Sequence, residues 1–203
     1  MPKSRTLLFL VCLGAGLVSL PAAAAPPASD LPPGVKKDML MWIQDAETKL
    51  LELVDATPEA KFTWRPAKDA RSTGEVFVHV VGANYAIPNF WGVKPPVDVK
   101  VETLEKSLTK KADIEKALKA SFAHLKGALA GASDADLDKP TEFFGMKTTV
   151  RSGYLLLLSH AHEHLGQSIA YARSNKITPP WTARRQAKAG GGKKVKASAK
   201  MPK

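Results

Sequence analysis

The sequence predicts an all-α protein, a four-helix bundle that extends over residues 34–181. Four segments of comparable length carry apolar residues at intervals of three and four, which is the spacing of an amphipathic helix. No segment between them alternates apolar and polar residues in a way that predicts a convincing strand. This region is about 145 residues long, a length that suits one domain with one core. We therefore expect a single bundle.

A segment typical of a secretory signal peptide precedes the predicted bundle and occupies residues 1–25. It begins with Lys3 and Arg5, continues with an apolar run over residues 7–20 and ends in small residues, with cleavage expected after about Ala25. An uncleaved anchor is the alternative, but an apolar run of about 14 residues is short for a membrane span. We therefore expect a periplasmic or secreted protein.

The cysteine content restricts the chemistry of the mature chain. Cys12, the one cysteine in the sequence, lies in the apolar run and should leave with the signal peptide. A lipoprotein signal requires a small residue before the cysteine, and Val11 is not small. The mature chain then has no thiol, which excludes disulfides, a cysteine nucleophile and thiolate metal ligands. Any metal site must use His, Asp or Glu.

The first two helices are predicted from their apolar faces and end signals. The first lies within residues 34–58, and these apolar residues fall near one of its faces: Met39, Trp42, Ile43, Leu50, Leu53 and Val54. The second is predicted to begin at Ser72, because Ser72 and Glu75 have the spacing of a capping box. Pro88 should end or kink this second helix near Ala86.

The third helix is predicted to begin near Lys110 and to end near Gly131. Its apolar residues are Ile114, Leu118, Phe122, Leu125 and Leu129. The fourth helix is predicted over residues 153–175 and is closed by the "TPPW" at residues 178–181. The short segment "KPTEFFGMKTTV", residues 139–150, fits either a turn or a small hairpin, and the sequence leaves these alternatives open.

Most of the formal net charge of +11 lies outside the predicted bundle. Residues 25–173 contain all 19 acidic residues and 19 of the 30 Lys and Arg residues, so this interval is neutral. Nine basic residues follow Arg173, most of them in a Gly-, Ala- and Lys-rich tail over residues 182–203 for which we predict disorder. This distribution argues against specific nucleic-acid recognition and favours an arm that binds an anionic surface.

Three of the five histidines alternate within the fourth helix, in the stretch "LLLLSHAHEHLGQSIAYAR". A step of four residues turns a helix by about 400°, so His160 and His164 lie on one face, and Gln167 and Tyr171 continue that face. His162 points elsewhere. Two imidazoles one turn apart can hold a metal ion, but they need a third ligand from another element.

His79 is the best candidate for the third ligand. It lies mid-helix in the apolar stretch "EVFVHVVGANY", where its ring nitrogens need polar partners. The residues about one turn away are small enough to leave a cavity beside it: Gly82, Ala83 and Ala86. The spacing alone also fits histidines that only make hydrogen bonds in the core or at the surface, so from these residues both interpretations stay open.

Candidate residues for acid, base or substrate contacts surround the histidines. Glu75 lies one turn before His79, although its place in a capping box is the simpler explanation. Glu163 lies about 60° from the metal-binding face, at the edge of such a site. Tyr171 and Gln167 would orient a substrate, although a core aromatic ring and a buried interhelical hydrogen bond explain them equally well.

These motifs resemble those of the DinB-like superfamily of four-helix-bundle proteins, over roughly residues 34–181. The most specific parts are the HxxxHxxQ pattern of His160, His164 and Gln167, together with the earlier His79. The resemblance implies one divalent metal ion, most often nickel or zinc, held by the three histidines with water completing its shell. Dimers are common in that superfamily, so a homodimer is compatible with the resemblance.

Two functions are consistent with these observations. The first is a metal-dependent hydrolase or transferase that acts on a small-molecule substrate, which the sequence does not identify. Characterised relatives include metal-dependent thiol transferases, but the export signal of this chain argues against an intracellular thiol as cosubstrate. The alternative is a non-catalytic metal-binding or envelope protein whose basic tail binds an anionic surface.

Overall fold

The computed structural model describes residues 33–198, with side chains described as far as residue 189. The predicted signal peptide, residues 1–25, lies outside the described residues. Most of the described residues are helical, and the predicted all-α fold is confirmed for this part of the chain. No helix within these residues is both long enough and apolar enough to cross a membrane.

Seven helices and one hairpin make up the described chain. The helices are α1 (Val35–Ala56), α2 (Thr73–Ala86), α3 (Leu104–Ser107), α4 (Lys111–Gly131), α5 (Asp134–Leu137), α6 (Val150–Ser174) and α7 (Pro180–Ser198). Short 3-10 turns span Glu59–Lys61, Pro88–Trp91 and Val101–Thr103. The strands are β1 (Pro140–Phe143) and β2 (Met146–Thr149).

Helices α1, α2, α4 and α6 correspond to the four predicted segments and enclose the core, and they are called the bundle helices below. α1 and α2 each pack against both α4 and α6, so the order around the bundle is α1, α4, α2, α6. α2 and α6 are therefore neighbours. This neighbourhood places the histidine of the second helix beside those of the fourth.

α2 begins where the capping box predicts. The backbone N–H of Glu75 donates to Ser72 Oγ at 3.3 Å, and the backbone N–H of Ser72 donates to Glu75 Oε2 at 2.6 Å. The helix ends at Ala86, and Pro88 opens a 3-10 turn as its missing N–H and fixed φ favour. α2 is apolar on nearly all of its faces rather than along one stripe, which is the composition of a helix that is buried on most sides.

The segment that the sequence left open forms a β-hairpin. β1 and β2 pair antiparallel, with Phe143 opposite Met146. The two connecting residues, Phe144 and Gly145, have φ values of 51° and 77°. Positive φ at both positions of a two-residue connection is the pattern of a type I′ turn, whose twist matches that of the paired strands.

One residue of the predicted core of α1 is largely outside it. Trp42 is 50% exposed, whereas the other predicted residues of that face are buried. Trp42 lies at the edge of the buried face, and its ring contacts the edge of the His162 ring with 6.3 Å between centroids. Apolar spacing alone did not distinguish the residues at the centre of the buried face of α1 from Trp42 at its edge.

The chain after α6 differs from the disorder predicted for residues 182–203, because α7 extends over Pro180–Ser198. Residues 183–189 are Ala, Arg, Gln and Lys, all good helix formers, although they lack an apolar period and are followed by three glycines, which favour a helix less. Arg184 Nη2 also lies 2.9 Å from Glu52 Oε1 on α1. Helix propensity and this contact with the bundle account for the difference.

Candidate metal centre

Three histidines from two neighbouring helices meet at one place in the bundle. α2 carries His79, and α6 carries His160 and His164 one turn apart. His160 Nε2 lies 3.2 Å from His79 Nε2 and 3.1 Å from His164 Nε2. One ring nitrogen from each residue lies within 4.8 Å of the others. The structure thus brings together the three predicted ligands, which are called the histidine cluster below.

A chain of hydrogen bonds along α6 orients His164. Its Nδ1 lies 2.9 Å from Gln167 Oε1, which can only accept a hydrogen bond, so Nδ1 is the donor. Gln167 Nε2 donates to the hydroxyl of Tyr171 at 3.0 Å, and that hydroxyl donates to the carbonyl of Arg71 at 3.2 Å. With its proton on Nδ1, neutral His164 presents the lone pair of Nε2 to the cluster.

The structure places Gln167 and Tyr171 behind the cluster. Tyr171 is buried, and its ring makes an edge-on contact with Trp64 at 5.3 Å between centroids. Its hydroxyl is engaged by Gln167 and by the backbone of the segment that precedes α2. Both residues therefore serve to hold His164 in place, and they link α6 to the chain that enters α2.

Glu105 on α3 orients His79 and was not predicted from the sequence. His79 Nδ1 lies 3.2 Å from Glu105 Oε1, a carboxylate oxygen that can only accept. The same oxygen lies 3.3 Å from Arg71 Nε. Glu105 belongs to a four-residue helix, and no motif connects it with a histidine that lies 26 residues earlier. Nothing in the sequence therefore distinguished Glu105 from other exposed acidic residues.

Burial favours the neutral form of two rings of the histidine cluster, those of His160 and His79. Burial of the ring, followed by the neighbouring His164 and His79 and by Arg71, lowers the pKa of His160 to about 4. Burial, Arg71 and His164 also lower the pKa of His79, against an opposing contribution from Glu105. Neutral imidazoles are the form that binds metal ions, so both rings are available as ligands near neutral pH.

The donor set fits a divalent metal ion. The Nε2 atoms of all three rings face one another, and two of the rings have their Nδ1 protons fixed by acceptors. Such acceptors behind metal-binding histidines fix the tautomer and the ring orientation. Three imidazoles and no thiolate suit zinc or nickel among other ions. The three histidines could therefore hold one ion.

Two other predicted candidates lie apart from these contacts. Glu75 is occupied by the capping box and by Arg65 Nη2 at 3.0 Å, and the backbone hydrogen bond from Ser72 is the main cause that lowers its pKa. Glu163 is exposed, and among the described residues no hydrogen bond or ion pair joins it to the cluster. His162 Nδ1 lies 3.0 Å from the carbonyl oxygen of Leu158, away from the cluster as predicted.

Comparisons with known proteins agree on one family and fold. The family model described as the DinB superfamily matches residues 43–168, an interval that contains the whole histidine cluster. A DinB-like protein from Bacillus cereus is 20% identical in sequence, with a TM-score of 0.62, and the alignment covers 72% of this chain and 95% of that one.

Two further solved structures share the fold. A DinB-like protein from Bacillus subtilis is 18% identical with a TM-score of 0.56, and the alignment covers 70% of this chain and 93% of that one. A conserved protein from Enterococcus faecalis is 15% identical with a TM-score of 0.56 over 70% and 97% of the two chains. No curated protein matches the chain.

Proposed function

The chain belongs to the DinB superfamily, and from this membership we propose that it binds one divalent metal ion through His79, His160 and His164. The observation that carries the proposal is the convergence of the Nε2 atoms of three histidine rings at one place in the bundle. Zinc and nickel are the ions we expect, because both accept imidazole ligands.

We propose further that the site serves a hydrolase or a transferase. When bound, the ion supplies Lewis acidity that polarises a carbonyl or phosphoryl oxygen of a substrate. Glu105 Oε1 accepts the Nδ1 proton of His79, and Gln167 Oε1 accepts that of His164, so both rings are held in position. Glu105 contacts the cluster, whereas Glu75 and Glu163 do not, so we assign to its carboxylate the role of accepting a substrate proton.

Metal content tests the binding proposal. The chain would be expressed from about residue 26 without a histidine tag, and metals per chain would be quantified by mass spectrometry. We expect close to one equivalent in the parent and a large loss in His79→Ala and His160→Ala. His124→Ala is the matched control, because His124 lies on α4 outside the cluster, and it should keep the parent's metal content.

A different result of the same experiment would reject the metal site. An absence of metal after reconstitution with zinc and with nickel, while all four proteins remain folded by circular dichroism, would reject the metal site. The histidines would then be core residues, and the bundle would serve as an interaction module.

We propose further that the protein is exported, as its N-terminal segment indicates, and that its basic C-terminal region binds an anionic surface. Nine Lys and Arg residues and no acidic residue follow Arg173. Basic segments of this kind bind anionic lipid through attractions that salt screens. This proposal is compatible with a non-catalytic role in the cell envelope.

Vesicle binding tests the surface proposal. The parent should bind phosphatidylglycerol vesicles at low salt and release them at high salt, and it should not bind phosphatidylcholine. Truncation after residue 189 removes Lys193 and the basic residues beyond it but keeps the Arg184–Glu52 ion pair, so the bundle should stay folded and the binding should fall. Equal binding by the parent and the truncated chain would reject the proposal.

A further inference from the structure

A cavity of about 530 Å³ opens beside the histidine cluster. His79 and His160 form part of its wall. Buried apolar side chains form the adjoining wall, among them Val78 and Ala83 on α2 and Ile87 directly after that helix. Its volume lies within the range of roughly 300–1,000 Å³ that is typical of small-molecule sites.

We propose that this cavity binds the apolar body of the substrate, and that the substrate is a small amphiphile whose head group reaches the histidine cluster. The proposal rests on the proposed metal site for the contact with the head group. The cavity itself supplies the contact with the apolar body, through the hydrophobic effect.

The charges around the cavity support an apolar occupant. Its charged lining residues other than histidine are Glu102, Glu105 and Lys106, all of which are exposed and therefore lie toward solvent. Glu105, to which we assigned the role of accepting a substrate proton, pairs with His79 and Arg71 at this outer edge. The inner wall thus offers few polar partners to a strongly hydrophilic molecule, whose buried polar groups would be costly without them.

Gly82 leaves one side of the cavity open. A Cβ atom built at Gly82 would have no neighbouring atom within 4 Å. A larger side chain at this position can therefore extend into the cavity without a clash at its first carbon. This feature allows the cavity to be filled by a single substitution while the bundle around it is preserved.

Phe144 lies on the cavity wall in a backbone conformation that is costly for it. Its φ of 51° is in the left-handed region, where bulky residues are rare and where a type I′ turn favours Asn. Its side chain is 67% exposed, and its ring contacts Phe90 with 5.4 Å between centroids. An apolar ring kept at a strained and exposed position is explained if it covers a bound apolar ligand.

The first test uses the n-alkyl hydroxamates of four, six and eight carbons as probes. Calorimetry on the zinc-loaded parent should show affinity rising about fourfold for each methylene that the cavity buries. Gly82→Leu should abolish this dependence on chain length. Gly127→Leu is the matched control, because Gly127 is also helical with open space at its Cβ position but lies on α4 away from the cavity.

A second probe separates the cavity from the metal. The amphiphilic dye 1-anilinonaphthalene-8-sulfonate, whose aromatic part enters apolar sites, should bind the metal-free parent and Gly127→Leu, and Gly82→Leu should weaken this binding at least tenfold. If zinc binding fails but this pattern holds, the proposed metal function is wrong and the apolar site stands. Equal dye binding by the two leucine variants would overturn the apolar site, whether or not zinc binds.

Phe144→Asn provides an independent check. Asn fits the left-handed position of the turn better than Phe does, so we expect the melting temperature to rise or stay equal. The affinity for the eight-carbon hydroxamate should fall at least threefold, while zinc content stays unchanged. An undiminished affinity for this probe would contradict the role of Phe144 as part of the ligand site.

Discussion

At the scale of single residues, the centre depends on side chains that do not belong to the histidine cluster. Glu105 and Gln167 accept the Nδ1 protons of two of its three rings and so decide which nitrogen faces the cluster. Such supporting acceptors typically change metal affinity 10- to 100-fold when they are removed. The four-residue helix α3 is thus part of the site through one carboxylate.

Removal of the Glu105 carboxylate should weaken metal binding while the fold persists. Glu105→Ala leaves the Nδ1 proton of His79 without its acceptor, so we expect zinc affinity to fall about 10- to 100-fold. A competition titration with a chromophoric chelator measures the change. Glu102→Ala removes an exposed carboxylate on the neighbouring turn and should leave the affinity within about twofold; equal losses in the two variants would indicate a general charge effect.

His124 should give the metal-free fold part of its pH dependence. Burial lowers the pKa of His124 below its ordinary value of 6.5, and its Nε2 is buried without a hydrogen-bond partner. His124 is therefore protonated more readily in the unfolded chain than in the folded one. The contribution of neutral His124 to the unfolding free energy is complete above pH 6.5 and is lost as the pH falls below it. In His124→Phe, urea denaturation should show a smaller loss of unfolding free energy between pH 7.5 and pH 5; an unchanged slope would contradict this.

The sequence predicted the residues of the site that share one helix. His160, His164, Gln167 and Tyr171 lie in one stripe because helical geometry determines their relative directions. It did not predict that Tyr171 would be held by the carbonyl of a residue 100 positions away. Nor did it predict Glu105, because that contact depends on the path of a long connection rather than on any period.

At the scale of elements, one glycine allows the 3-10 turn after α2 to pack against α6. A Cβ built on Gly153 would lie 2.4 Å from a ring atom of Trp91, closer than side chains approach. Trp91 also packs against Tyr154, with 5.0 Å between ring centroids. The contact fixes the chain that leaves α2 against the start of α6, the two helices that carry the histidines.

Gly153→Ala should therefore destabilise the protein, although alanine favours helices. We expect a loss of about 1–3 kcal/mol, the usual effect of overpacking. Gly127→Ala, in open space on α4, should instead gain about 0.5–1 kcal/mol from helix propensity. Urea denaturation measures both variants, and a similar gain in each would show that Trp91 moves aside freely.

The elements themselves were predictable to different degrees. The four bundle helices were predicted from apolar spacing. The start of α2 was predicted from a capping box, which is a local and specific signal. The hairpin stayed open because four-residue strands carry too little alternation to decide between alternatives. α7 was missed because only residues 183–189 favour a helix individually, while three glycines follow them and no apolar face indicates a helix.

At the scale of the whole molecule, the bundle should fold without metal and gain stability from it. The core is formed by apolar residues of all four bundle helices. An EDTA-treated chain should keep its helical circular dichroism, and zinc at about 100 times its Kd should add about 2.7 kcal/mol to the unfolding free energy. His79→Ala should lose this gain and His124→Ala should keep it; unfolding on metal removal would contradict the prediction.

The fold class was predictable because four apolar helices of similar length have few ways to bury their faces together. The order α1, α4, α2, α6 around the bundle was not, because periodicity says which face is buried but not against which partner. The cavity beside the cluster depends on that order. Small residues on α2 indicated space beside His79. The size of the cavity, however, depends on α3 and the hairpin turn, which close the cavity from outside the bundle.

The separation of the histidines along the chain has a consequence for how an ion would be acquired. His79 and His160 are 81 residues apart, so before the helices pack together α6 alone can offer only its own two ligands, an incomplete chelate. The third donor arrives when α2 docks on α6. Tight loading is therefore tied to the moment of folding, and the ions present where the chain folds, rather than where it is synthesised, would decide which metal the protein carries.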